Sequence, residues 1–189
     1  MALAHSPRDI PDVATPIPHS LSTYSVPGAL IAGGVAALVF SGLLWLLRLM
    51  GVTDFSIALF LGSSFTGDTA PGTLALGLAV HVIFGALTGL IYALIFHAWG
   101  WATWARGVAI AIPHALVAGG MMVALAEVHP LRSELTGAPG FLAGNYNWLT
   151  AALLMAHFLL FGAITGSIYA RFVPHLTSGT PEAARDVRE

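Results

Sequence analysis

Three histidines, His81, His114 and His157, lie deep inside apolar stretches of this chain. An ionisable side chain at membrane depth is costly and is a functional candidate by default. Neutral imidazoles can ligate a transition metal or a haem iron. They can also pass protons along hydroxyls, and Thr88, Thr165, Tyr92 and Tyr169 supply such hydroxyls, with Glu127 at the outer edge. The plainer reading is a buried imidazole satisfied by a neighbouring Thr, Tyr or freed carbonyl. If a metal or haem binds, His81 and His157 are the expected ligands. They fall at near-equivalent places in two similar segments, but one position out of register, which is about 100° of helix rotation. The sequence has no CxxCH, no HExxH and no pair of histidines four apart on one of these helices. It also lacks a Ser-His-Asp pattern and a phosphate-binding loop, so no catalytic residue is assigned and a hydrolase or NTPase is disfavoured.

The elements that must hold these residues are apolar helices. The chain is 57% hydrophobic and 8% charged, with a mean hydropathy of +0.82. Soluble domains carry nearer a quarter charged residues, so the composition points to an all-α polytopic membrane protein. Four transmembrane helices are expected, at about 26–50, 73–97, 104–126 and 148–172, each long enough for a hydrocarbon core of ~30 Å. His81 and His157 would lie roughly 12 and 13 Å along their helices at 1.5 Å per residue. Pro113 precedes His114 inside the third span, where it removes a backbone donor and can free a carbonyl.

The segment Phe84–Ala93, FGALTGLIYA, returns as Phe161–Ala170, FGAITGSIYA, 77 positions later. The fold is therefore read as a tandem, parallel duplication of a two-helix unit, residues 26–103 followed by 104–172. Gly85 with Gly89, and Gly162 with Gly166, each place two small residues on one helix face. Such seams allow the close backbone approach that drives helix association in lipid. Thr88 and Thr165 flank the seams and could donate to a carbonyl. Tyr92 and Tyr169 extend them by a turn. The first helices of the two units match poorly at this offset, Gly42 against Gly119 being the best pair. The alternative to plain packing is a groove or path lined by Thr and Tyr.

Between the first two spans, Phe55–Leu61 is apolar but too short to cross, and fits an interfacial helix or a shallow re-entrant turn. Asp68 or the following Thr is a candidate cap for the second span. The second long connection carries Phe141-Leu142-Ala143-Gly144, an echo of Phe60-Leu61-Gly62-Ser63. Residues 1–25 hold four prolines and no basic segment running into an apolar core, so they read as a flexible cytoplasmic arm, not a signal peptide. Residues 173–189 read as a polar tail.

Cysteine is absent, which removes disulfides and thiolate sites. All seven cations are arginines, the net charge is −2, and no basic cluster suits nucleic acid. Arg8, Arg106, Arg171, Arg185 and Arg188 fall on the side of the termini, against Arg48 and Arg132 on the other. The positive-inside rule then places both termini in the cytoplasm.

The pattern His…Phe-Gly-Ala-x-Thr-Gly-x-Ile-Tyr-Ala, carried by spans two and four, resembles that of small uncharacterised bacterial inner-membrane proteins with four helices. The resemblance implies that location and architecture, but no activity and no functional residues. Three functions remain in view. The first is a non-enzymatic accessory subunit, packing through its glycine faces against partner membrane subunits or a second copy of itself. The second is a small transporter or channel with a path lined by the His, Thr and Tyr residues named above. The third is a haem- or metal-binding redox protein, although the most economical expectation is no cofactor at all.

Overall fold

The structure, a computed structural model, describes residues 24–131 and 139–177. It is all-helical: α1 (Val26–Leu49), α2 (Ile57–Thr66), α3 (Pro71–Trp99), α4 (Trp104–Glu127) and α5 (Trp148–Phe172). Two single 3₁₀ turns, Phe141–Ala143 and Pro174–Leu176, complete it. Helices α1, α3, α4 and α5 are long and apolar enough to cross a membrane. Each of their ends lies within two residues of the span expected from sequence. The tails at 1–23 and 178–189, with Arg8, Arg185 and Arg188, lie outside the described residues, as do Arg132 and Glu134.

Local chemistry sets the helix ends. Ser25, Ser56, Thr103 and Asn147 each accept a backbone N–H of the first turn, at 3.1, 3.2, 3.3 and 2.7 Å respectively. Helix α3 is started differently from the expected cap. Ala70 stands at its N-cap without a side-chain bond, and Pro71 opens the helix. Asp68 reaches forward, accepting from Ala70 N–H at 3.0 Å and from the Thr73 hydroxyl. The Thr73 hydroxyl, then the Ala70 N–H, hold its carboxyl below the ordinary carboxylate pKa. Gly67 and Gly100 end α2 and α3 in the left-handed conformation that glycine adopts without steric cost. Pro113 sits inside α4, which runs on through it.

Side by side, the long helices run in the order α3, α1, α5, α4. Helix α1 packs along α3 and α5, α4 packs along α5, and α3 scarcely touches α4. Both paired contacts are glycine seams. A Cβ on Gly85 would overlap Ala37, and one on Gly33 would overlap the Gly85 carbonyl. In the second pair, Gly162 stands in the same way against Gly107 and Ala111. Gly89 meets the carbonyl of Ala29, and Gly166 that of Thr103. Gly85, Gly89, Gly162 and Gly166 thus all stand where two helix backbones approach closely.

Gly42 and Gly119 do not form an equivalent pair. Among the described residues, nothing outside its own stretch of helix lies within 4 Å of a Cβ added to Gly42, while one on Gly119 meets the Phe141 ring of the second connection. The places that match are Gly33 with Gly107 and Ala37 with Ala111, 74 positions apart instead of 77. The connection inside the second pair is three residues longer, so an ungapped comparison misaligns the first helices.

Helix α2 forms a third seam that the sequence did not reveal. Gly62 lies on the Thr73 carbonyl, and Gly77 of α3 on the Ala58 carbonyl. The segment read as interfacial or re-entrant is thus a ten-residue helix, with Ala58, Phe60, Leu61, Gly62 and Ser63 buried. His129, just past the end of α4, is buried against it. Leu131 N–H donates to its Nδ1 at 3.1 Å, so Nε2–H faces the Phe60 carbonyl at 3.1 Å and Ser63 Oγ at 3.2 Å. Its ring stacks on Phe60 at 5.1 Å. At the end shared by the described terminal residues, Trp99, Trp101 and Trp104 are exposed, as aromatic residues at a membrane boundary are. Arg106 lies over the Trp101 ring at 4.8 Å and donates to the Trp99 carbonyl at 2.8 Å.

Candidate binding cleft

Because α3 and α4 splay apart, a cleft of about 320 Å³ opens between them. Phe40 of α1 and Leu154, Phe158 and Phe161 of α5 form its floor, and Phe60 and Leu61 of α2 border it. Its walls are apolar apart from His81 and Thr88 on α3 and His114 on α4. His81 and Thr88 are seven residues apart, two helical turns, and so share a face.

Each cleft histidine is anchored from behind by a hydroxyl. His81 Nδ1 is 2.7 Å from Ser41 Oγ of α1, and His114 Nδ1 is 3.1 Å from Tyr92 Oη of α3. Both anchors are buried: Tyr92 is 1% exposed, and Ser41, 8% exposed, also borders an apolar cavity of about 400 Å³ between α1, α2 and α3. Neither Nε2 atom has a hydrogen bond among the described residues, and neither is sealed within the protein.

The expected convergence of His81 and His157 does not occur. The Phe40 ring packs edge-on against both, at 5.2 Å from each. His157 is buried away from the cleft and gives its Nδ1–H to the Leu153 carbonyl, 2.6 Å away and one turn back on its own helix. The one-position slip seen in sequence is the reason: that rotation turns His157 to the α1 side of α5. The histidine that shares a site with His81 is His114. Among the described residues no group of three or more His, Asp or Glu could hold a metal ion.

The remaining candidates divide. Tyr169 is fully buried, with its hydroxyl 2.9 Å from His97 Nε2 and 3.4 Å from the Ser25 amide. Thr165 Oγ1 and His157 Nε2 are buried without a partner among the described residues. The expected bond from Thr165 to a carbonyl across the seam is therefore not made. Glu127 ends α4 and is exposed. The seven residues proposed to line one path are split between the cleft and the closed core, and do not line a single passage.

Comparison with protein-family models, curated proteins and solved structures gives no match. The geometry is thus the whole ground for a functional reading. It is the kind of site that takes small apolar molecules: concave, apolar, and supplied with a few convergent polar groups.

Sequence reasoning missed two residues that make the site. Neither Ser41 nor Phe40 stands out in the apolar first span. The signal was present at the 74-residue offset. There Phe40 corresponds to His114, and at the 77-residue offset His81 corresponds to Phe158. The two helix pairs hold the same two ring types in exchanged places: Phe40–His81 at 5.2 Å in one, His114–Phe158 at 5.0 Å in the other.

Proposed function

We propose that this chain is an intramembrane binding protein, which holds a small apolar molecule in the cleft between α3 and α4. The observation that carries this is the pair of hydroxyl-anchored imidazoles whose free nitrogens meet an otherwise apolar space. A hydrogen-bonding group without a partner is costly in lipid, where no water competes for it. A bound molecule supplies the partner. The outward faces of the long helices are apolar, as any lipid-facing surface is, and give the accessory-subunit reading no comparable support.

The matched glycine contacts at offsets 74 and 77 favour origin by tandem duplication of a two-helix unit. Arg106 and Arg171 lie at the end that carries the described terminal residues and Arg48 at the other, which by the positive-inside rule supports cytoplasmic termini, and the resemblance to small bacterial inner-membrane proteins supports that membrane. The test of the binding reading is labelling of the full chain in nanodiscs by an alkane carrying a diazirine. Saturable labelling mapped to Phe84, Leu87, Ala118 or Met121, and abolished by Ala118→Trp, is the expected result. Non-saturable labelling spread over Leu38, Leu94 and Val117 as well would overturn it.

A further inference from the structure

The polar end of the bound molecule can also be specified, on the footing that the cleft is a binding site. Ser41 Oγ and Tyr92 Oη each have a single hydrogen-bond partner among the described residues, the Nδ1 of His81 and of His114. If either hydroxyl accepted from Nδ1–H, its own proton would have no acceptor among the described residues, a cost that lipid does not relieve. Each hydroxyl therefore donates, and each Nδ1 accepts. A neutral imidazole that accepts at Nδ1 carries its proton on Nε2. His157 has the opposite tautomer, because a carbonyl faces its Nδ1. The sequence alone gives no hint that these three histidines differ in this way.

We infer that the cleft presents two N–H donors, His81 Nε2–H from the α3 wall and His114 Nε2–H from the α4 wall, to an apolar molecule bearing a carbonyl oxygen. Thr88, the other polar residue in the walls, can donate as well. Among the described residues no carboxylate lines the cleft, and a molecule whose polar end only donates could meet Thr88 Oγ1 but would leave both imidazole donors unmatched. A carbonyl on an apolar body has two sources in a membrane: a ring dicarbonyl of the quinone type, and a fatty acyl group. Both satisfy the same donors.

The experiment measures displacement of the diazirine-bearing alkane from the full chain in nanodiscs. The competitors are n-decane, decanoic acid and a decyl-substituted 1,4-benzoquinone. The carbonyl-bearing competitors are expected to displace the label at concentrations about fivefold lower than decane for each hydrogen bond made. That advantage is expected to vanish in the variant carrying His81→Phe and His114→Phe. A lead for the quinone identifies the dicarbonyl class, and a lead for the acid the acyl class. Equal displacement by all three competitors overturns the inference and leaves the apolar cleft standing. Label that no competitor displaces removes the cleft reading together with it. Imidazole ¹⁵N spectra of the unmodified chain need no variant: protonated Nε2 on His81 and His114 supports the assignment, and protonated Nδ1 on both overturns it.

Discussion

The seam between α1 and α5 and the gap between α3 and α4 are the same place seen from the two helix pairs. In the first, Phe40 meets Phe158 edge to face at 5.3 Å, and the helices pack along their length. In the second, the corresponding rings are His81 and His114, and the helices stand apart around a cleft. Two phenyl rings gain from contact and ask for nothing more. Two imidazoles each hold a hydrogen-bonding nitrogen that the facing ring cannot satisfy while both Nε2 atoms carry protons. Exchanging Phe and His between the pairs thus gives one closed seam and one open one from a common glycine framework.

The largest effect should come from breaking that framework. Gly33→Leu drives a side chain into the Gly85 carbonyl, and Gly107→Leu does the same to the Gly162 carbonyl. Backbone on both sides leaves no flexible side chain to yield, so the cost should exceed the roughly 3 kcal/mol of ordinary overpacking. Thermal scans in mild detergent should show either variant aggregating or melting far below the unmodified chain. Gly42→Ala, with open space around its Cβ and the better helix former in place, should melt no lower than it. Equal loss in all three would mean that the seams are not where the helix pairs are held.

A smaller effect should separate the two sides of the comparison. Phe158→Ala removes the ring that closes the α1–α5 seam. In lipid the transfer part of a large-to-small change largely disappears and the cavity part remains, about 2 kcal/mol for a phenyl ring at ~24 cal/mol per Å³. Phe84 also borders the cleft, but it is 49% exposed on the open side. Phe84→Ala should cost under about 0.5 kcal/mol, as exposed substitutions do. Comparable losses at both positions would show that the open side is packed in the folded protein, against lipid or a bound molecule tight enough to stabilise it.

The residues of this site differed in how readable they were. The span bounds were legible because apolar length, prolines and polar caps are local signals. The second-helix glycines were legible because their spacing repeats without a gap. Gly33 and Gly107 were not, since three extra residues in one connection shift them to another offset. The pairing of His81 with His114 was not either. It depends on which way each helix is rotated about its axis, and in a membrane helix apolar on all sides the sequence carries almost no rotational signal. The role of Ser41, and the particular histidine that Tyr92 meets, were hidden for a related reason. Each supports a histidine on another helix, and no spacing within one helix announces that.

The smallest expected effect falls on the third histidine. His157 is 7% exposed, its Nδ1–H goes to the Leu153 carbonyl, and its Nε2 is buried without a partner among the described residues. His157→Leu gives up one hydrogen bond to a carbonyl that the helix already uses, worth about 1 kcal/mol, and removes an unsatisfied buried acceptor of similar cost. The two nearly cancel, so stability should stay within about 1 kcal/mol and label displacement in the cleft should not change. His81 and His114 stand in contrast, because their free nitrogens meet the cleft and not the core. If His157→Leu abolished binding while the fold survived, the core acceptor and not the open pair would be the functional histidine. The exchange of Phe and His between the helix pairs would then be a packing detail.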